Sequence, residues 1–261
     1  MSMMTATYPL AGVKSERPHT AATLARRAWG FWATSGWFTL ALVTYLVASV
    51  AVGFFYVLGW LIVHNSNIPV DFNWTTAELI GAAIATPAGA LLLVLLSRKR
   101  GWTVREYLNL TMPSMRHVAY GLGALVAFGA LTSLVAYFYP ALDQSGVTVG
   151  EYRTIMGSVA GLSLYWLVIA VTAPVGEEIA FRGFLMRGWG DSRLGGIGAL
   201  VLSAVVFASV HPQYNLPGMA LVCGLGLMFG AARLWSGSTV LSIMMHAAWN
   251  IAMGVMIAMA A

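Results

Sequence analysis

Two adjacent glutamates, two histidines and an asparagine stand out in the second half of the chain, because each interrupts an apolar run. Glu177 and Glu178 follow the apolar stretch 164–175 and precede Ile179, Ala180 and Phe181. His211 ends VLSAVVFASVH, and His246 lies in LSIMMHAAWN with Asn250 four residues on. On a helix that spacing puts His246 and Asn250 on one face. A carboxylate can take a proton from water, and imidazole or amide N–H groups can hold negative charge where it develops. Hydrolysis of a peptide bond needs both.

Each group also has a plainer reading. Glu178 has Arg182 at i+4, the right spacing for an intrahelical ion pair, so the glutamate pair could simply mark a helix end. Glu177 has no such local partner. A single histidine in an apolar run is more often a packing residue than a catalytic one. The set together argues otherwise. An ionisable group at membrane depth costs about 2.5–3.5 kcal/mol on insertion scales. Hydrocarbon supplies no water, so these side chains must find one another or line a wet cavity. Pro174, just upstream, removes a backbone hydrogen bond and is expected to bend the helix and open the site to water.

The elements that must position these residues are membrane helices. The 261 residues are 59% hydrophobic and only 9% charged, against about 25% charged in soluble domains. Runs long enough to span a bilayer, about 20 residues each, occur at 36–63, 77–96, 118–139, 157–186, 196–211, 216–233 and 238–259. The expected fold is therefore an all-α polytopic bundle of about seven spans. Residues 1–35 read as a cytoplasmic arm with an interfacial helix near Arg26 to Trp32. The first apolar run is too long for a cleaved signal peptide and reads as a retained helix. Residues 36–117 read as two spans and a segment, 97–117, lying on the membrane surface, where Pro113 ends any helix. Residues 118–261 read as the catalytic bundle.

The net charge of +5 does not imply nucleic acid, because no basic patch is interleaved with aromatics. With the N-terminus inside, every basic residue except Arg153 falls on the cytoplasmic side, as the positive-inside bias requires. Cys223 sits in an apolar run and reads as packing. GLMFG at 226–230 fits the small-xxx-small pattern, which packing within the bundle explains as well as dimerisation does. At about 1.5 Å per residue, Glu177 lies roughly 15 Å deep, His246 roughly 12 Å and Asn250 roughly 18 Å. His211 comes out deeper, at roughly 21–25 Å.

The strings EEIAFR at 177–182, FASVH at 207–211 and HAAWN at 246–250 resemble the three ordered motifs EExxxR, FxxxH and HxxxN of the CPBP family. These are the CAAX proteases and bacteriocin-processing enzymes, also called Abi proteins. The resemblance implies a helical bundle with a polar cavity open to the cytoplasm, in a cell (inner) membrane. It also implies hydrolysis of a membrane-associated protein or peptide. On that likeness Glu177 would be the general base that activates water, and His211 would help hold the water or the base. His246 and Asn250 would stabilise the oxyanion, with Glu178 and Arg182 as supporting structure. A divalent metal such as zinc would fall to Glu177, His211 and His246. No HExxH string is present, and the expectation leans towards no obligatory metal.

Three other readings stay open. GLSL at 161–164 loosely fits a serine-peptidase pattern with Ser163 as nucleophile, although Ser163 is about four turns from Glu177. Aspartyl chemistry lacks its residues, because no aspartate falls in a span. Intramembrane Glu and His equally suit a proton or ion transporter, and a non-catalytic scaffold or immunity protein would also retain the bundle. The substrate and the oligomeric state are not legible.

Overall fold

In the computed structural model, residues 28–64, 74–98, 101–139, 152–153, 155 and 158–261 are described. Most of the proposed N-terminal arm, including Arg26 and Arg27, lies outside them. Most of the described residues are helical, and none of them is in a strand. Six helices are long and apolar enough to cross a membrane: α1 (Phe31–Val63), α2 (Trp74–Ser97), α4 (Met115–Phe138), α5 (Val159–Gly190), α7 (Leu216–Ser236) and α8 (Thr239–Ala260). A one-turn helix α3 (Val104–Tyr107) precedes α4, and a shorter apolar helix α6 (Gly195–Ser209) follows α5. The fifth expected span is thus a helix of 15 residues, about 22 Å long, which falls short of the roughly 30 Å hydrocarbon core. Large apolar side chains such as Val47, Val50, Phe55 and Val126 point outward, as lipid-facing residues must. The chain is an integral membrane protein.

Small residues set the distances between helices. Gly89 lies against the backbone carbonyl of Ala41, and Gly81 faces Ser49, so α1 and α2 run antiparallel in close contact. At Gly176 a Cβ would meet Thr86 of α2, which brings α5 against that pair. Gly226 of α7 approaches Ala204 of α6, and a Cβ there would sit 3.1 Å from the Ala204 Cα. Gly230 packs on Leu200 and Met186. The small-xxx-small pattern at 226–230 therefore serves contacts inside the bundle.

The segment after α2 differs from the expected surface strip. Thr103 and Glu106 form a reciprocal capping box that starts α3. The helix stops at Tyr107, well before Pro113, and Asn109 takes a left-handed conformation with φ 51°. Tyr107 and Leu108 are buried in the bundle. The Tyr107 hydroxyl accepts a bond from the Trp29 backbone N–H at 3.4 Å, and burial pushes its phenol up to about 12. Leu108 O and Asn109 O accept from Thr239 Oγ1 and N at 2.6 and 2.9 Å, while Thr111 Oγ1 donates to Gly237 O. This plug ties α3 to the α7–α8 turn and so sets the position of the helix that carries His246. At the opposite end of α8, Arg153 Nε donates to Ala261 O.

The glycine contacts predict an asymmetry. Gly226→Val should destabilise the fold by about 1–3 kcal/mol, because the added carbons meet backbone rather than a movable side-chain end. Gly123→Ala, which meets nothing within 4 Å, should change stability by under about 1 kcal/mol. Thermal unfolding of the purified variants in detergent checks both.

Candidate active site

Helix α5 carries the two glutamates on a short α-helical piece, Ala173–Glu178, between two π-helical stretches, Val168–Thr172 and Ile179–Leu185. Pro174 lacks an N–H, and its ring would clash with the carbonyl one α-turn back. The widened turn at Val168–Thr172 falls where that conflict arises, so α5 runs on to Gly190 instead of breaking there. The opening of the helix expected from Pro174 is taken up as a π turn.

Glu178 and Arg182 are both fully buried and pair at 2.9 Å through Glu178 Oε1 and Arg182 Nη1. Arg182 Nη2 donates to the Gly226 carbonyl at 2.9 Å, and its guanidinium lies 4.5 Å from the centre of the Phe207 ring. The same Glu178 Oε1 lies 3.0 Å from His246 Nδ1. A carboxylate held by a guanidinium accepts, so Nδ1 carries the hydrogen and the Nε2 of a neutral His246 is an acceptor. The His246 ring is stacked on Phe229 with centroids 5.1 Å apart.

His211 lies just beyond the C-terminus of α6, in the turn that leads to α7. Its Nδ1 is 2.6 Å from the Phe207 carbonyl, so that nitrogen also carries the hydrogen and Nε2 is again the acceptor. Both Nε2 atoms face one atom, Glu177 Oε2, at 3.9 Å from His211 and 4.0 Å from His246. Glu177 Oε2 is buried and has no hydrogen-bond partner. Rise per residue alone places His211 well below Glu177. The structure brings them together because His211 sits on the turn past the helix end and not along its axis.

Glu177 and His211 line a cavity of about 230 Å³, whose other walls include Phe38 and Tyr45 of α1, Thr86 and Leu93 of α2, Phe181, and Gln213. No motif in residues 1–117 pointed to these wall positions. The one available signal was the small-residue run GAAIATPAGA at 81–90, which lets α2 approach α5. His246 and Asn250 are not among the lining residues. Asn250 Nδ2 donates to Ile169 O at 2.9 Å, inside the first π stretch, so half of its amide donor capacity is used there. Ser163 is exposed on the outer face of α5, apart from this constellation.

Tetrahedral zinc with ligand bonds of about 2.0–2.1 Å places its donor atoms roughly 3.3 Å apart. Glu177 to the two histidines is 3.9 and 4.0 Å, and among the described residues no group of three or more His, Cys, Asp or Glu is arranged to hold a metal ion. The residues as placed do not fit a metal cage, so the zinc alternative gains no support from their spacing.

Residues 159–252 match the family model described as Rce1-like, type II CAAX prenyl endopeptidase. That segment contains all three motifs and bears out the resemblance to the CPBP family. A protein of Escherichia coli, described as an uncharacterized 24.3 kDa protein, is 33% identical over 92 residues, which is 34% of this chain and 42% of that protein. The match thus spans less than half of that relative's length. No solved structure matches.

Breaking the buried pair by removing one partner leaves an uncompensated charge, typically at a cost of about 3–5 kcal/mol. Arg182→Met should therefore lower the unfolding midpoint strongly, and adding Glu178→Gln in the same chain should recover part of the loss. A double-mutant cycle read by thermal unfolding checks the coupling.

Proposed function

We propose that the protein is an intramembrane endopeptidase that hydrolyses a peptide bond in a membrane-associated protein or peptide, with Glu177 as the base for water. The observation that carries this reading is the orphaned Glu177 Oε2, buried at the edge of the cavity and faced by the Nε2 atoms of His211 and His246. A water seated there can donate one hydrogen to Glu177 and the other to His211 Nε2, which aims its lone pair at the scissile carbonyl. Attack forms the new C–O bond, and the water's proton passes to Glu177. Collapse breaks the C–N bond, and Glu177 returns that proton to the leaving amine.

The oxyanion role of His246 and Asn250 rests on the family resemblance. Its chemistry requires His246 as imidazolium, because a neutral ring already spends its N–H on Glu178. Glu178 already pairs with Arg182, so the imidazolium is offset by the developing oxyanion itself, and the second amide hydrogen of Asn250 completes the pair of donors. In this reading 118–261 form the catalytic bundle, α1 and α2 add the far wall of the cavity, and the arginine-rich end faces the cytoplasm. No step runs through a metal.

The test is cleavage of a fluorogenic peptide library by purified protein, with and without a chelator. Glu177→Gln should reduce turnover by about 10²–10⁴-fold without lowering the unfolding midpoint, and Ser163→Ala should be silent. Undiminished turnover in Glu177→Gln would overturn the assignment. Glu177-dependent proton flux in liposomes without cleavage would favour the transporter.

A further inference from the structure

Away from Glu177, the end of the bundle that holds Arg105, Arg116 and Arg193 also holds buried donors that have no acceptor. Arg233, in the last turn of α7, is only 8% exposed, and its Nε and Nη2 are buried without a hydrogen-bond partner. Its charged neighbours are Arg187 and Asp191. The Arg187 guanidinium lies 4.5 Å from the centre of the Trp102 ring. Arg187 Nε is 3.6 Å from Asp191 Oδ2, an ion-pair separation too long for a hydrogen bond, and is itself buried and unbonded. Trp102 Nε1 is a further buried donor without an acceptor. Two guanidiniums against one carboxylate leave a positive charge unbalanced.

Such an arrangement costs free energy unless something supplies oxygen. An unpaired buried N–H costs about 1–3 kcal/mol, and more where the group is charged. Guanidinium forks match the oxygens of phosphate and carboxylate. Position favours phosphate. Arg233 is three residues from the end of α7, and Trp102 belongs to the non-spanning segment between α2 and α4. Both therefore lie near the polar boundary of the bilayer, where lipid phosphates are found. A peptide carboxylate in the cavity would be elsewhere, because neither arginine nor Trp102 lines it.

We propose that Arg187 and Arg233 form a binding site for the phosphodiester of an anionic phospholipid headgroup, with Trp102 Nε1 as an additional donor. The headgroup supplies the missing acceptors and cancels the excess charge, so the lipid acts as a structural ligand of the α5 and α7 ends. The site is independent of the peptidase reading.

The test titrates the full chain, in uncharged detergent, with phosphatidylglycerol, phosphatidylcholine or inorganic phosphate. Unfolding midpoint and retained lipid, by native mass spectrometry, are the readouts. Phosphatidylglycerol should raise the wild-type midpoint and bind about fivefold more tightly than phosphatidylcholine. Arg233→Gln should lose about that factor, and without lipid it should be no less stable than wild type, because an unpaired buried charge has been removed. If Arg233→Gln fails to fold, Arg187→Gln and Trp102→Phe decide by the same lipid retention. Unchanged retention in these variants, equal binding of the two lipids, or a full shift from inorganic phosphate alone would overturn the proposal.

Discussion

The carboxylate of Glu178 and the guanidinium of Arg182 meet at 2.9 Å across one helical turn, with neither group exposed at all. An ion pair at this depth holds only if the remaining hydrogen-bonding capacity is also met. Much of it is. Arg182 reaches the Gly226 carbonyl on α7 and lies over Phe207 of α6, while Glu178 shares its paired oxygen with His246 of α8. One pair on α5 thereby links three later helices. It also sets the tautomer of His246, and with it what that ring can offer to Glu177.

The helix that carries the pair departs from regular α geometry on both sides. The π stretches surround Ala173–Glu178, and the first contains the carbonyl that accepts from Asn250. Close approach of the neighbours depends on missing side chains, at Gly176 against Thr86 and at Gly226 against Ala204. The Gly226 contact is doubly constrained, since its carbonyl must also reach Arg182. Irregular backbone at membrane depth is tolerated where it is buried in protein or lines a cavity, and both conditions hold for α5.

Much of this was legible in the residues themselves. The i+4 spacing of Glu178 and Arg182 announced their ion pair, and the lack of a local partner for Glu177 matched its bare Oε2. Apolar runs located the helices to within a few residues. The outcome was different wherever a distance depended on packing. His211 reaches Glu177 from a turn beyond a short helix, which rise per residue cannot describe. The 97–117 segment looked amphipathic, yet it buries Tyr107 and Leu108 as a plug.

By itself the sequence determined an all-α membrane bundle, the ordered polar motifs, and the residues that had to escape hydrocarbon. Those follow from composition and local spacing, because burying charge in lipid is costly whatever the fold. Tertiary structure alone decided that one Glu178 oxygen serves both Arg182 and His246 and that both histidines turn Nε2 towards Glu177. It alone made α1 and α2 walls of the cavity. The reason is physical. A tautomer and a cavity wall are set by groups distant in sequence, and only the close approach of helices allowed by particular glycines brings those groups within range.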